Sequence, residues 1–392
     1  MKKICILTAT RAEYGLLKPI IKSFDYREDI DLRVVVTGAH LSPEFGLTYE
    51  EIINDGIKID KKIEILVSAD TPSAISKSMG LAMIGFADYF SESVPDLLVV
   101  LGDRYETLAV ATVAMNQRIP IAHLYGGEAT EGLIDESIRH SITKMSYLHF
   151  TSTEEYRKRV IQLGESPLRV FNVGAVGIEN IKQNEYMSKQ ELLGSLNLSL
   201  DRPYAVVTFH PVTLEDHSSE SQIVELLKAI SKHDEMNFIF TKGNSDANGR
   251  IINSMIDEYV KGNENCVAVM SLGLKRYLTA IRHCHMVIGN SSSGIIEVPS
   301  FKVPTVNIGD RQKGRIQTDS IINCTSDYDS ILKAIDKAKD AKFREKIQLV
   351  KNPYEKENTT SSIVSIILDH LLNEKIDIKK SFFDLNQSEE YE

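Results

Sequence analysis

Short, continuously apolar runs alternate with helix-period segments along the first half of the chain. Lys3–Leu7, Asp31–Val36, Leu97–Leu101, Ile119–Leu124, Tyr147–Thr151 and Val170–Val173 predict strands. Between them, Tyr14–Phe24, Pro72–Ser91, Arg104–Asn116, Asp135–Met145 and Glu154–Gln162 predict helices. A run such as Leu97-Leu98-Val99-Val100-Leu101 fits a parallel strand covered on both faces better than a half-exposed one. The alternation restarts after Leu200. Strands are predicted at Tyr204–Phe209, Asn237–Phe240, Cys266–Val269, His285–Ile288 and Thr305–Asn307, and helices at Ser221–Lys232, Ala247–Lys261, Gly273–Arg282 and Ser293–Val298. Two successive strand–helix blocks imply an α/β protein with two Rossmann-like domains facing a central cleft, joined near Gly174–Gln183. One large sheet is the alternative.

Composition narrows the function classes. The 392 residues carry 45 basic and 55 acidic side chains, a formal net charge of −10. No general nucleic-acid or membrane-surface binder is indicated, because either gains from a basic face. Cys5, Cys266, Cys284 and Cys324 form no CxxC pair, so neither a zinc ribbon nor a disulfide framework is expected. Free thiols suit a reducing cytoplasm. The apolar run at Met1–Leu7 is too short for a signal peptide.

Open α/β sheets bind ligands beyond the carboxyl ends of their strands. There the first block offers Arg11 with Gly15, then Asp103-Arg104, then Glu128 after His123-Leu124-Tyr125-Gly126-Gly127, and Asp135 at the start of a helix. Arg11 could equally be an exposed loop residue, and Asp103 a helix cap. Converging carboxylates suit proton transfer. No HxxxH-type spacing accompanies them, so no metal is expected. The second block has Gly289-Asn290-Ser291-Ser292-Ser293-Gly294 between a strand and a helix, with Glu297 soon after. Free N–H groups and hydroxyls there suit a phosphate, with Glu297 placed to accept ribose hydroxyls. A serine-rich helix cap is the plainer alternative. Neither GxGxxG nor the P-loop lysine is present, so no dinucleotide is expected. His210 follows another strand end, and Gly309–Arg315 is a basic loop carrying Arg311. The helix over Pro72–Asp88 is apolar nearly all round, which buries it in a core or against another subunit.

The motifs TATRAEYG, VTGAHL, LGDRYE, HLYGGE, DESIRHSITK, HPVT, GNSSSGIIEVPS, GDRQKGR and NPY occur in this order from Thr8 onward. Together they resemble the hydrolysing UDP-N-acetylglucosamine 2-epimerases of bacterial sialic acid synthesis. The resemblance implies a glycosyltransferase-B type fold: an N-terminal domain at 1–177, a UDP-binding domain at 178–352, a helix at 353–374 returning to the first domain, and a polar tail at 375–392. It implies anti elimination of UDP through 2-acetamidoglucal, then hydration to N-acetylmannosamine, without metal or nicotinamide. Arg11, Gly15, Arg104, His210, Asn244, Ser291, Ser292, Glu297 and Arg311 match the UDP-contacting set. Asp103, Glu128 and Asp135 match the catalytic acids, with His210 beside them, and His40 joins Asp103 and Glu128 on the hexose side. A homodimer, able to pair into tetramers, is implied as well. Many hydrolysing relatives carry a catalytic glutamate where Tyr125 stands, so either Glu128 takes that role or the two aspartates carry it alone. Alternatives are the same chemistry on UDP-N,N'-diacetylbacillosamine, a non-hydrolysing epimerase (whose HVEAG motif is absent), a sugar transferase of the same fold, and an inactive UDP-sugar sensor.

Overall fold

The computed structural model describes residues 1–69, 71–214, 218–243, 249–373 and 376–385. Seven strands form the first sheet: β1 (Lys2–Thr8), β2 (Ile30–Thr37), β3 (Ile59–Ile63), β4 (Leu97–Leu101), β5 (Ile121–Leu124), β6 (Leu148–Thr151) and β7 (Val170–Asn172). Their order is β3-β2-β1-β4-β5-β6-β7, all parallel. Six more form the second: β8 (Tyr204–Thr208), β9 (Asn237–Thr241), β10 (Cys266–Val269), β11 (Met286–Gly289), β12 (Thr305–Ile308) and β13 (Ile321–Cys324). Their order is β10-β9-β8-β11-β12-β13, also all parallel. Strand order reverses between β1 and β4 in one sheet and between β8 and β11 in the other, where doubly wound sheets open a crevice for ligands.

Each sheet has an apolar core on both faces, which is why its central strands are apolar at every position. All five residues of β4 are buried. The pattern did not predict β3 or β13. Both are edge strands, and Ile59-Asp60-Lys61-Lys62-Ile63 carries three charged residues because an edge half-faces water.

The chain divides into two compact units. The first holds Met1–Glu128, Asp135–Glu179 and the chain from Lys356 onward. Its last helix, Thr359–Leu372, buries Ile363, Ile367 and Leu371 in the first unit's core, and the Thr359 hydroxyl donates to the Val173 carbonyl at 2.8 Å. The second unit holds Asn180–Glu355 together with Ala129–Ile134. Those six residues, inside the 1–177 block of the sequence reading, belong with the second unit because their backbone bonds to it: Glu131 N to Lys313 O at 3.0 Å, and Leu214 N to Gly132 O at 3.3 Å.

Part of the expected polar tail is also packed. Lys380 pairs with the buried Glu165 carboxylate at 2.9 Å, and Phe383 N donates to Gly164 O at 3.0 Å. The Phe382 ring lies against Gly164, where a side chain of any size would strike it. Two adjacent phenylalanines and one lysine are enough to dock a segment whose composition otherwise reads as solvated.

Candidate functional site

In the first unit, Thr10, two residues after β1, caps the helix Arg11–Asp25, with Glu13 completing a capping box. This places Arg11 at the mouth of the strand. A Cβ added at Gly15 meets nothing within 4 Å, so the surface there is open. Burial pushes the Glu13 carboxyl up to about 7, against the pull of the Arg104 guanidinium. Arg104 stands at the N-cap of the helix Tyr105–Asn116 and is clamped by the buried Glu106 at 3.2 and 3.4 Å.

Asp103 leaves the end of β4, and its carboxylate accepts from both Nε (2.8 Å) and Nη2 of Arg139. Glu128 is 2 % exposed and accepts the Ser152 hydroxyl at 2.9 Å. Its backbone carbonyl accepts Arg139 Nη1 at 2.9 Å. Asp135 opens the helix Asp135–Met145, where the dipole favours a negative charge. Arg139 stands one turn further on, 1 % exposed, and also holds Glu136 at 2.6 Å. One guanidinium therefore ties the Asp103 side chain and the Glu128 backbone to the helix that begins with Asp135.

Sequence reasoning passed over Arg139. The signal was its position four residues after Asp135, which puts both on one side of the helix. His123 was passed over as well. Its Nε2 donates to Gly102 O at 2.8 Å, steadying the left-handed turn at Gly102 (φ +79°) just before Asp103. Burial drives its ring down to about 4, so it stays neutral.

His40, expected on the hexose side, lies just after β2 in the core. It is 0 % exposed, its two ring nitrogens are taken by the Thr8 and Thr48 hydroxyls at 2.9 and 2.8 Å, and burial drives its imidazole down to about 4. A neutral core histidine satisfied on both nitrogens needs no substrate. Tyr125 likewise faces inward. Its ring packs against the core and its hydroxyl accepts from Gly177 N at 3.4 Å.

In the second unit, Asn290 organises the loops at the reversal between β8 and β11. It is 1 % exposed, its side-chain oxygen accepts His210 N at 2.7 Å, and its amide donates to His210 O at 2.7 Å. Its backbone carbonyl accepts Arg311 Nη1 at 3.2 Å and Gln312 Nε2 at 2.8 Å. This brings His210, Ser291 and Arg311 to one frame. The turn requires glycine at 289: φ is +133°, and a Cβ would sit 1.8 Å from Thr208 O. The helix after it is shorter than expected, Ser293–Ile296, and gives way to a 3-10 turn at Val298–Phe301 around Pro299. Glu297 lies at that junction. The Ser292 side chain makes no capping bond, which removes the plain cap reading for that hydroxyl. Asn244 lies outside the described residues.

An anion on this frame gives a first expected result. Arg311→Ala, and the pair Ser291→Ala with Ser292→Ala, weaken UDP binding by about 1.5–3 kcal/mol per charge-assisted bond lost, roughly tenfold to a hundredfold in affinity. Calorimetry on folded variants checks it, and unchanged affinity removes the phosphate assignment.

Comparison with known proteins shows the family. The sequence model of the family described as UDP-N-acetylglucosamine 2-epimerase matches residues 22–368. A Campylobacter jejuni protein named GDP/UDP-N,N'-diacetylbacillosamine 2-epimerase (hydrolyzing) is 43% identical over 385 residues, covering 98% of this chain and 99% of its own. Polysialic acid biosynthesis protein P7 of Escherichia coli is 43% identical over 389 residues, covering 98% of each. The crystal structure of UDP-GlcNAc 2-epimerase from Neisseria meningitidis bound to UDP-GlcNAc superimposes with a TM-score of 0.78 at 18% identity, covering 94% of this chain and 100% of that one. The fold is of the glycosyltransferase-B type.

Proposed function

Because the chain belongs to the UDP-N-acetylglucosamine 2-epimerase family, we propose that its three acids and its UDP frame act together in the hydrolysing branch of that chemistry. The protein is an enzyme, a hydrolysing 2-epimerase that converts UDP-N-acetylglucosamine and water to N-acetylmannosamine and UDP, a step towards sialic acid. The observation that carries the reading is the Arg139 fork, which organises Asp103, Glu128 and the start of the Asp135 helix.

The chemistry follows from the residues. Breaking the sugar C1–O bond builds negative charge on the departing UDP, and Arg311 with Ser291 and Ser292 supplies donors for it. A carboxylate of the Asp103, Glu128 and Asp135 group removes the C2 proton, giving 2-acetamidoglucal. Water then adds at C1 and a proton returns to C2 with the opposite configuration. His210, at the end of β8, can balance phosphate charge or pass a proton to the leaving group. The reaction runs without metal or nicotinamide.

Pure protein given UDP-N-acetylglucosamine, with EDTA and with no acceptor sugar, releases UDP and N-acetylmannosamine in equal amounts. No UDP release overturns the reading, and activity lost to EDTA but restored by one divalent ion overturns its metal-free form. UDP-N,N'-diacetylbacillosamine is the second substrate to run, because two relatives bear that sugar in their names. A higher kcat/KM with it reassigns the substrate.

The protein acts in the cytoplasm, on a UDP-sugar, as a homodimer. The helix Pro72–Glu92 supports the dimer: it buries one side but leaves Leu81, Met83 and Ile84 exposed on the other. A monomer at sedimentation equilibrium overturns that. No helix among the described residues is long and apolar enough to cross a membrane.

A further inference from the structure

The buried Glu165 of the first unit takes no part in the proposed proton transfer. It is 1 % exposed, and an ionised carboxylate out of water is costly unless cations and donors surround it. Three groups do so. His149 Nε2, on β6, donates to it at 3.1 Å, Lys144 Nζ at 2.6 Å and Lys380 Nζ at 2.9 Å. Burial alone would raise the Glu165 carboxyl, but these partners hold it down to about 2, so it stays ionised at neutral pH.

The two lysines join separate parts of the chain. Lys144 lies in the last turn of the helix Asp135–Met145, and Lys380 lies in the segment 376–385. Besides Glu165, Lys380 Nζ donates to the carbonyl of Lys144 at 2.8 Å and to that of Ser146, just past the helix, at 2.7 Å. Carbonyls at a helix end lack an intrahelical partner, and a cation there also suits the dipole. Phe383 anchors the segment: its N–H donates to Gly164 O at 3.0 Å, and its ring packs against Val160, Ile161 and Val170. Phe382 completes the seat, with Lys144 Nζ 5.2 Å from its ring centre. All of these residues belong to the first unit.

The other end of this helix carries Asp135 and, one turn on, Arg139, which holds Asp103 and the Glu128 carbonyl. Its 11 residues span roughly 16 Å and shift as one body. We propose that the segment 376–385 is a strap that fixes the helix Asp135–Met145 from behind, with Lys380 as the positioning residue that keeps Asp135 and the Arg139 fork in place. This rests on the function proposed above. Lys380 touches none of the reacting atoms. Without it the helix can slide along its axis by an ångström or so, enough to disturb both groups at its front.

Lys380→Met keeps the aliphatic stem and removes every donor. It lowers kcat by about tenfold while KM and UDP affinity change by no more than about threefold, because misplacing a catalytic group costs rate rather than nucleotide binding. Phe383→Ala frees the segment without altering any charge and lowers kcat likewise. The double variant is no slower than Lys380→Met, because both changes act through one docking. Ile367→Val loosens a different core cluster of the same unit from the one that holds Ile138 and Ile142 of this helix, and it leaves kcat as in the wild type. Hydrogen exchange on the unliganded protein supplies a readout free of turnover: amides across 135–145 exchange faster in Lys380→Met than in the wild type, and do not in Ile367→Val. A wild type that turns over no UDP-sugar removes the function on which the strap rests. Wild-type kcat in folded Lys380→Met, additive losses in the double variant, unchanged exchange across 135–145, or an equal fall of kcat in Ile367→Val overturns the strap alone.

Discussion

Asp103→Asn lowers turnover by about 10²–10⁴-fold, the contribution of a positioned general acid or base, while UDP binds nearly as tightly as to the wild type. The substitution keeps the size of the side chain and an oxygen that can still accept from Arg139, so the fork and the turn after β4 persist. What it removes is basicity. Under the proposed function UDP affinity is spared, because a carboxylate offers the phosphates no donor and the loops around Asn290 lie in the second unit. Asp135→Asn behaves alike, since the amide still sits at a helix start. Glu128→Gln decides what replaces the glutamate that many relatives carry at Tyr125. Its amide oxygen can still accept the Ser152 hydroxyl, so a loss as large as for the aspartates assigns Glu128 that role. Near-normal turnover leaves the work to the two aspartates. Run in D2O, the wild-type reaction places deuterium at C2 of N-acetylmannosamine and takes the anomeric oxygen from solvent. Product without C2 deuterium overturns elimination whatever the variants show.

Arg139→Met destabilises the first unit by about 3–5 kcal/mol, the usual penalty for breaking a buried ion pair and leaving its partners without a counter-charge. The guanidinium is 1 % exposed and holds Asp103, Glu136 and the Glu128 carbonyl at once, so methionine fills its volume but abandons all three. Arg139→Lys separates charge from geometry. An ammonium keeps the positive charge but cannot fork to Asp103 while also reaching Glu128 O. It keeps most of the stability but still loses kcat, by about 10²-fold for acids displaced by an ångström or so. Denaturant unfolding reads the first effect and single-turnover kinetics the second. Wild-type kcat in Arg139→Lys would mean that the fork only stabilises the fold.

The strand ends and the polar residues that follow them were legible because their signals are local. An apolar run that stops at Gly102-Asp103, or at Gly289-Asn290-Ser291, marks both a buried strand and the polar residues that emerge from it. Arg11, Asp103, Arg104, His210, Ser291 and Arg311 all lie just beyond such ends. His40 follows β2 in the same way, and pattern alone could not tell that it turns inward to two threonine hydroxyls. Arg139 was hidden for the opposite reason, reading as one more charge on an amphipathic helix until its partner 36 positions earlier came into contact.

By itself, the sequence determined the two parallel sheets, the order of their central strands and helices, and the acids and loops that the switch points present. Apolar runs, helical spacing and glycine turns act over a few residues, so they can be read without knowing the fold. Tertiary structure alone decided the rest: the edge strands β3 and β13, the docking of Lys380 and Phe382, the burial of His40, the inward turn of Tyr125, the fork of Arg139, and the transfer of Ala129–Ile134 to the second unit. Each depends on a partner distant in sequence, and burial takes such a group out of water only where that partner replaces the bonds water made.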